Sequence, residues 1–294
     1  MQQAPSIDLP GFAAALRITD IRVLAQGHGR LARDIQTLHR IRGAAGHVLH
    51  DGASKAAQAG QPCTFIPRCA YDVFHNDRPG LKPGQVLQKP FVWQADDVGG
   101  DLLVTLRLFG DGDIWAGEFQ AALVAGFRRG IDGTGALAVQ GSDRQVRWLP
   151  PVPLDCAAMM MAAITPVVQR REKDTAGREP APDQPHTAPL FLRMVDRLAE
   201  LAQWQGLRLD HDREALRRRL QAVGTLGQWD ALQPALFSRG GGPNNRRKRT
   251  GFLGTLTVPN PGADLATLIW LAGVAHIGGD TAAGAGRVAV SVVG

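Results

Sequence analysis

The feature that most constrains this chain is the stretch from Gly251 to Gly294. GFLGTLTV has the apolar and β-branched density of a strand, and Pro259, Asn260, Pro261 and Gly262 end it. Asp264 then reads as the cap of a helix whose Leu265, Leu268, Ile269, Leu271 and Ala272 recur at helical spacing. HIGGDTAAGAGR follows, with Gly278, Gly279, Gly284 and Gly286 opening backbone conformations that other residues avoid. RVAVSVV closes the chain as a second strand. The unit is therefore strand, helix, glycine-rich loop, strand, and the basic run Arg246 to Arg249 leads into it.

The rest of the chain repeats that alternation. ALRITDIRVLA is a first strand, and the basic GHGRLARD leads to a helix ending near Gly52. Residues from about 53 to 88, rich in Gly, Pro and polar side chains, read as a long insertion. PFVWQAD and DLLVTLRLFG are two strands turning at Gly99 and Gly100. IWAGEFQAALVAGFRRG is an amphipathic helix with Ile114, Phe119, Leu123, Val124 and Phe127 on one side, stopped by Gly130. ALAVQGSDRQVRWL supplies a further strand or hairpin. This is βαββαβ, the ferredoxin-like order.

After Pro150, Pro151 and Pro153 it begins again: a buried strand in AAMMMAAITPVV, a polar Pro-containing loop, then two helices over about 188–223 and the terminal unit. The expectation is an α+β chain of two tandem ferredoxin-like domains, 1–150 and 151–294, with a helical elaboration in the second and a glycine-rich loop at 278–286.

Hydrophobic residues at 44% suffice for a core in a 294-residue chain. A net charge of +6 favours a polyanionic partner without naming it. Three cysteines cannot build a disulfide framework, and the N-terminus lacks a basic segment followed by an apolar core. The longest apolar run, CAAMMMAAI, falls short of the ~20 residues of a membrane helix. The expected setting is cytoplasmic, with no membrane.

The order of GFLG before a strand, a helix, and then HIGGDTAAGAGRV resembles the C-terminal signature of the CRISPR repeat-processing endoribonucleases of the RAMP superfamily. IRGAAGHVL, CAYDVF, LRLFG, FRRGIDGTGALAV and ITPVV follow as similar landmarks in the same order, so the resemblance spans nearly the whole chain. It implies metal-independent cleavage of precursor CRISPR RNA within the repeat hairpin. The ribose 2′-hydroxyl attacks the adjacent phosphate and leaves 2′,3′-cyclic phosphate and 5′-hydroxyl ends, with no cofactor and no metal. It further implies association with CRISPR repeat RNA and with other subunits of an interference complex. The alternative is a non-catalytic RAMP subunit that only binds CRISPR RNA.

Such chemistry needs a base, a cation for the phosphorane and an acid for the leaving oxygen. The resemblance places a histidine on or near the first helix, where His39, His47 and His50 stand. His47 and His50, one turn apart, are the candidates, with Arg42 as charge stabiliser; an arginine-based site using Arg30, Arg33, Arg40 or Arg42 is the variant. Tyr71 could orient a group or donate a proton, or simply be packed in the insertion. The glycine-rich loop is expected to turn its N–H groups towards phosphate, with Arg287 beside it.

Arg239, Arg246, Arg247, Lys248 and Arg249 lie in a segment without an acid and are read as a clamp on an RNA stem, which Arg217 and Arg218 extend if they are not the wet face of a surface helix. Cys63 and Cys69 are not at CxxC spacing, and with His75 they lack a fourth zinc ligand.

Overall fold

The computed structural model describes residues 4–75, 88–131, 134–169, 185–223, 228–239 and 247–293. Contacts divide them into two bodies, residues 17–147 and residues 4–16 with 148–293. The N-terminal segment thus belongs with the C-terminal body. It holds strand β1 (Ser6–Ile7) and helix α1 (Leu9–Ala15), opened by Asp8, whose carboxylate accepts from Gly11 N at 2.8 Å.

The first body runs β2 (Arg17–Ala25), α2 (Ile35–Asp51), the short α3 (Lys55–Gln58) and α4 (Ala70–Phe74), then β3 (Phe91–Val98), β4 (Asp101–Phe109), α5 (Ala116–Arg129) and β5 (Val139–Trp148). The sheet order is β3-β4-β2-β5. Pairing places Trp93, Leu106 and Ile21 in one row and Ala95, Val104 and Val23 in the next, all buried on one face. The other face carries Asp20 opposite Arg107; the carboxylate accepts from Arg107 at 2.7 and 3.1 Å and from Arg147 at 3.2 Å.

Helix α5 starts two residues later than its pattern implies. Ile114, expected on its apolar side, lies in a 3-10 turn and is 61% exposed.

An aromatic cluster holds α4 down. Phe74 meets Phe119 edge-on with centroids 4.3 Å apart, and Phe91 and Trp115 lie at 5.2 and 5.7 Å. Trp115 Nε1 donates to Arg68 O at 2.5 Å, and Ala70 N to Glu118 Oε2 at 3.1 Å. The expected insertion is therefore anchored to the core at 68–74, while 76–87 lie outside the described residues.

The second body runs β6 (Ala158–Ala163), α6 (Thr187–Gln203), β7 (Arg208–Leu209), α7 (Arg213–Val223), β8 (Gln228–Arg239), β9 (Arg247–Pro259), α8 (Gly262–Ala275) and β10 (Val288–Val293). β7 pairs in parallel with β1, and the main sheet has the order β10-β6-β9-β8. In both sheets the first strand lies between the third and the fourth and the second takes the far edge, which is the ferredoxin-like arrangement. The expected fold of two such domains with a helical elaboration is the one observed.

Leu190, Met194, Leu198 and Leu201 bury one face of α6, and Leu265, Leu268, Ile269, Leu271 and Ala272 are all buried on α8. Asp264 is not the cap of α8; it sits in the first turn and pairs with Arg219. Of the expected polar loop over 169–187, residues 170–184 are outside the described residues, and Thr187 already begins α6.

Candidate functional site

In the first body the candidate residues converge on α2. Asp34 starts this helix by accepting from Gln36 N at 2.9 Å, and Ile35, Leu38, Ile41, Ala45 and Leu49 bury one stripe. The opposite stripe is left outward, so His47 is exposed and His50 and Arg42 are half-buried. His39 lies two turns before His47. Arg40 is half-buried, while Arg30 and Arg33 are exposed in the 3-10 turn that precedes the helix.

Helix α4 brings further groups to this stripe. The Tyr71 ring meets His50 edge-on at 5.0 Å and stacks on His75 at 5.1 Å. His75 in turn packs against α2: a Cβ on Gly46 would come within 2.6 Å of its Cε1. Desolvation, then the charges of Arg42, Lys89 and His47, push its pKa down to about 3, so the ring is neutral near pH 7. Asp51 ends the row, 3.9 Å from His50 Nδ1 and accepting from Arg129 at 2.9 Å. That hydrogen bond, with the nearby histidines, holds its carboxyl below the ordinary range.

The stripe thus offers two outward imidazoles, a neutral third, a phenol and two guanidinium groups. Sequence reasoning weighed His75 only as a metal ligand, and did not name Asp51 or Arg129. Among the described residues no three His, Cys, Asp or Glu side chains come together to hold a metal ion.

The second body carries the basic groups. Arg247 to Arg249 begin β9 rather than preceding it, and β8 and β9 form a long hairpin pairing Arg239 with Arg247, Ser238 with Lys248 and Phe237 with Arg249. Arg246 lies outside the described residues. Arg249 Nε sits 3.3 Å from Asp280 Oδ2, tying the hairpin to the glycine-rich loop. On α7, Arg213 and Arg219 pair with Asp196 and Asp264, and the exposed Arg217 and Arg218 both lie against Glu214, at 3.9 Å from its carboxylate and 3.4 Å from its carbonyl.

The loop uses its amides differently from the expectation that they face phosphate. Gly279 donates to Val168 O, Ala283 and Ala285 to Asp280 O, Gly284 to Thr281 O, Gly286 to Pro166 O and Arg287 to Thr165 Oγ1. Gly286, at φ +70°, leaves no room: its Cβ would lie 1.8 Å from Ile277 O. The glycines let the loop fold onto 165–168, and the Arg287 side chain is left half-exposed beside it.

No protein-family profile and no curated protein matches this chain. Solved structures do. A Cas6 product complex superposes with a TM-score of 0.50 at 15% identity, covering 94% of this chain and 99% of the other. The chain shares the Cas6 fold. A Cas6-related protein from Pyrococcus furiosus covers 94% of this chain and 98% of its own at 10% identity, with a TM-score of 0.42. A Thermus thermophilus Cse3 bound to RNA as a pre-cleavage complex has a TM-score of 0.34 at 12% identity, covering 94% and 99%. Within the Cas6 fold of this chain, the His47–His50 stripe belongs to the first ferredoxin-like domain and the basic hairpin to the second. No helix among the described residues is long and apolar enough to cross a membrane.

Proposed function

We propose that this protein is a metal-independent endoribonuclease that matures CRISPR RNA, cutting the precursor within the repeat hairpin and staying bound to its product in the cytoplasm. The observation that carries the reading is the stripe of α2 on which His47 and His50 stand outward, one turn apart, beside Arg42. One imidazole takes the proton of the attacking 2′-hydroxyl and the other returns one to the 5′-oxygen as it leaves. Arg42 stabilises the charge of the phosphorane, leaving a 2′,3′-cyclic phosphate and a 5′-hydroxyl. Arg30, Arg33 and Arg40 extend the positive surface along the approach to the helix.

Arg239, Arg247, Lys248 and Arg249 of the hairpin, with Arg246 next to them in sequence, grip the phosphates of the stem, and Arg217, Arg218 and Arg287 add to that surface. Gly278, Gly279, Gly284 and Gly286 shape the loop that carries Asp280 and Arg287. The fold likeness to a Cas6 product complex supports this assignment over a general RNA-binding role, and partnership with further interference-complex subunits follows from the same reading.

The test is incubation with CRISPR repeat RNA in excess EDTA, with analysis of the fragment ends. A single cut leaving a cyclic phosphate is expected. Tight binding without a cut would replace the enzyme by a silent CRISPR RNA-binding subunit. His47→Ala with His50→Ala should slow cleavage by about 10²- to 10⁴-fold while RNA still binds. Cutting at the wild-type rate would leave the arginines as the catalytic groups.

A further inference from the structure

Cys63 and Cys69 are absorbed by neither the fold nor the proposed reaction, yet the structure brings them together. Phe65 N donates to Cys63 Sγ at 3.4 Å and Cys69 N at 3.3 Å. The second contact sets the Cys63 sulfur beside the backbone atom two bonds from Cys69 Cβ, and the two cysteines share one buried cluster with Ala53 and Ala57. The buried Ser54 hydroxyl accepts from Ala57 N at 3.2 Å, and Ala57 packs with both cysteines.

Burial opposes ionisation of Cys63, but hydrogen bonding from Ser54, Cys69 and Phe65 outweighs it and brings the thiol down to about 7, whereas burial and the neighbouring sulfur push Cys69 up. The segment that joins the two cysteines is solvent-facing, with Phe65 and Ile66 50% and 99% exposed. Tyr71, the only tyrosine, packs against the same cluster and turns its ring to His50 and His75.

We infer that Cys63 and Cys69 form a redox-active dithiol, oxidised by low-molecular-weight disulfides, whose state is felt at Tyr71. The Cys63 thiolate attacks the disulfide and expels one thiolate. Cys69 loses its proton and attacks the Cys63 sulfur, expelling the second. Two protein thiols are oxidised and one disulfide is reduced to two thiols. The inference stands independently of RNA cleavage.

The experiment treats the full chain with glutathione disulfide, blocks remaining thiols with N-ethylmaleimide and digests with trypsin without reduction. Arg68 lies between the cysteines, so the ring bond joins two peptides that separate only on reduction. That linked pair is expected, with Cys156 left maleimide-labelled. Cys69→Ser should stop at a glutathione adduct on Cys63, and Cys63→Ser should lose most of the uptake. In protein labelled with 3-fluorotyrosine, the single ¹⁹F resonance should shift on oxidation of the wild type and stay in place in Cys63→Ser. Two maleimide-labelled cysteines, a persistent adduct in the wild type, or equal uptake by both variants would overturn the dithiol. A linked pair with an unmoved resonance would overturn the connection to Tyr71.

Discussion

His75 gives a stability test that needs no RNA. An unfolded histidine titrates near 6.5, but here the folded value is about 3, so between those values the unfolded chain binds a proton that the native ring refuses. Unfolding therefore takes up a proton, and native stability is lost as pH falls below 6.5, levelling only near 3. At pH 5 the penalty relative to pH 8 is RT ln(1 + 10^1.5), about 2 kcal/mol, and at pH 6 about 0.8 kcal/mol. The figure at pH 5 barely changes if the folded value is a unit higher, because the native ring is still neutral there.

His75→Phe keeps a ring against Gly46 and Tyr71 but has no proton to take. The assay is urea unfolding at pH 8 and pH 5, followed by the ¹⁹F resonance of fluorinated Tyr71, which stacks on His75 and so reports this body alone. The pH-induced loss should be about 2 kcal/mol smaller in the variant, with other titrating groups cancelling in the double difference. Equal losses in both proteins would mean that the buried ring accepts a proton in place, and the reasoning would fall.

Asp20→Ala should cost about 3–5 kcal/mol in the first body, read by chemical denaturation, because it strips Arg107 of its buried carboxylate. Burial raises the Asp20 pKa, but the two arginines outweigh that and hold it low, so its contribution is present above about pH 4 and fades only on acidification through the folded value. Gly286→Ala should cost about 3 kcal/mol, from a clash with Ile277 O and a positive φ, and a wild-type melting temperature would refute the tight loop. Changing Arg246, Arg247, Lys248 and Arg249 together to Ala should flatten the salt dependence of RNA binding. Arg249 is already paired with Asp280, so the loss should be about 2–3 in log–log slope, and an unchanged slope would remove the hairpin from the interface.

Elements whose burial repeats at a fixed period were legible in the chain. Ile35, Leu38, Ile41, Ala45 and Leu49 announce α2, Leu190, Met194, Leu198 and Leu201 announce α6, and alternation exposes β2. Together with the order of the segments they are enough to read two ferredoxin-like domains. Strand β8 was not legible. QWDALQPALFSR has no β-branched residue and carries Pro234, which only an edge strand tolerates, and the bulge between Asp230 and Gln233 breaks its alternation. Its partner β9 makes it a strand and turns a basic run into one arm of a hairpin.

The histidines of α2 could be nominated from sequence because they share a helix and its periodicity. Tyr71, His75 and Arg129 could not be assigned to them, since each reaches the stripe from another element through a long-range packing contact. The amides of the glycine-rich loop follow the same logic. Composition allows them to turn towards a ligand, but which carbonyls they meet depends on how residues 165–168 fold back. Local periodicity and backbone freedom are properties of the chain; partnership between distant groups is a property of the packed body.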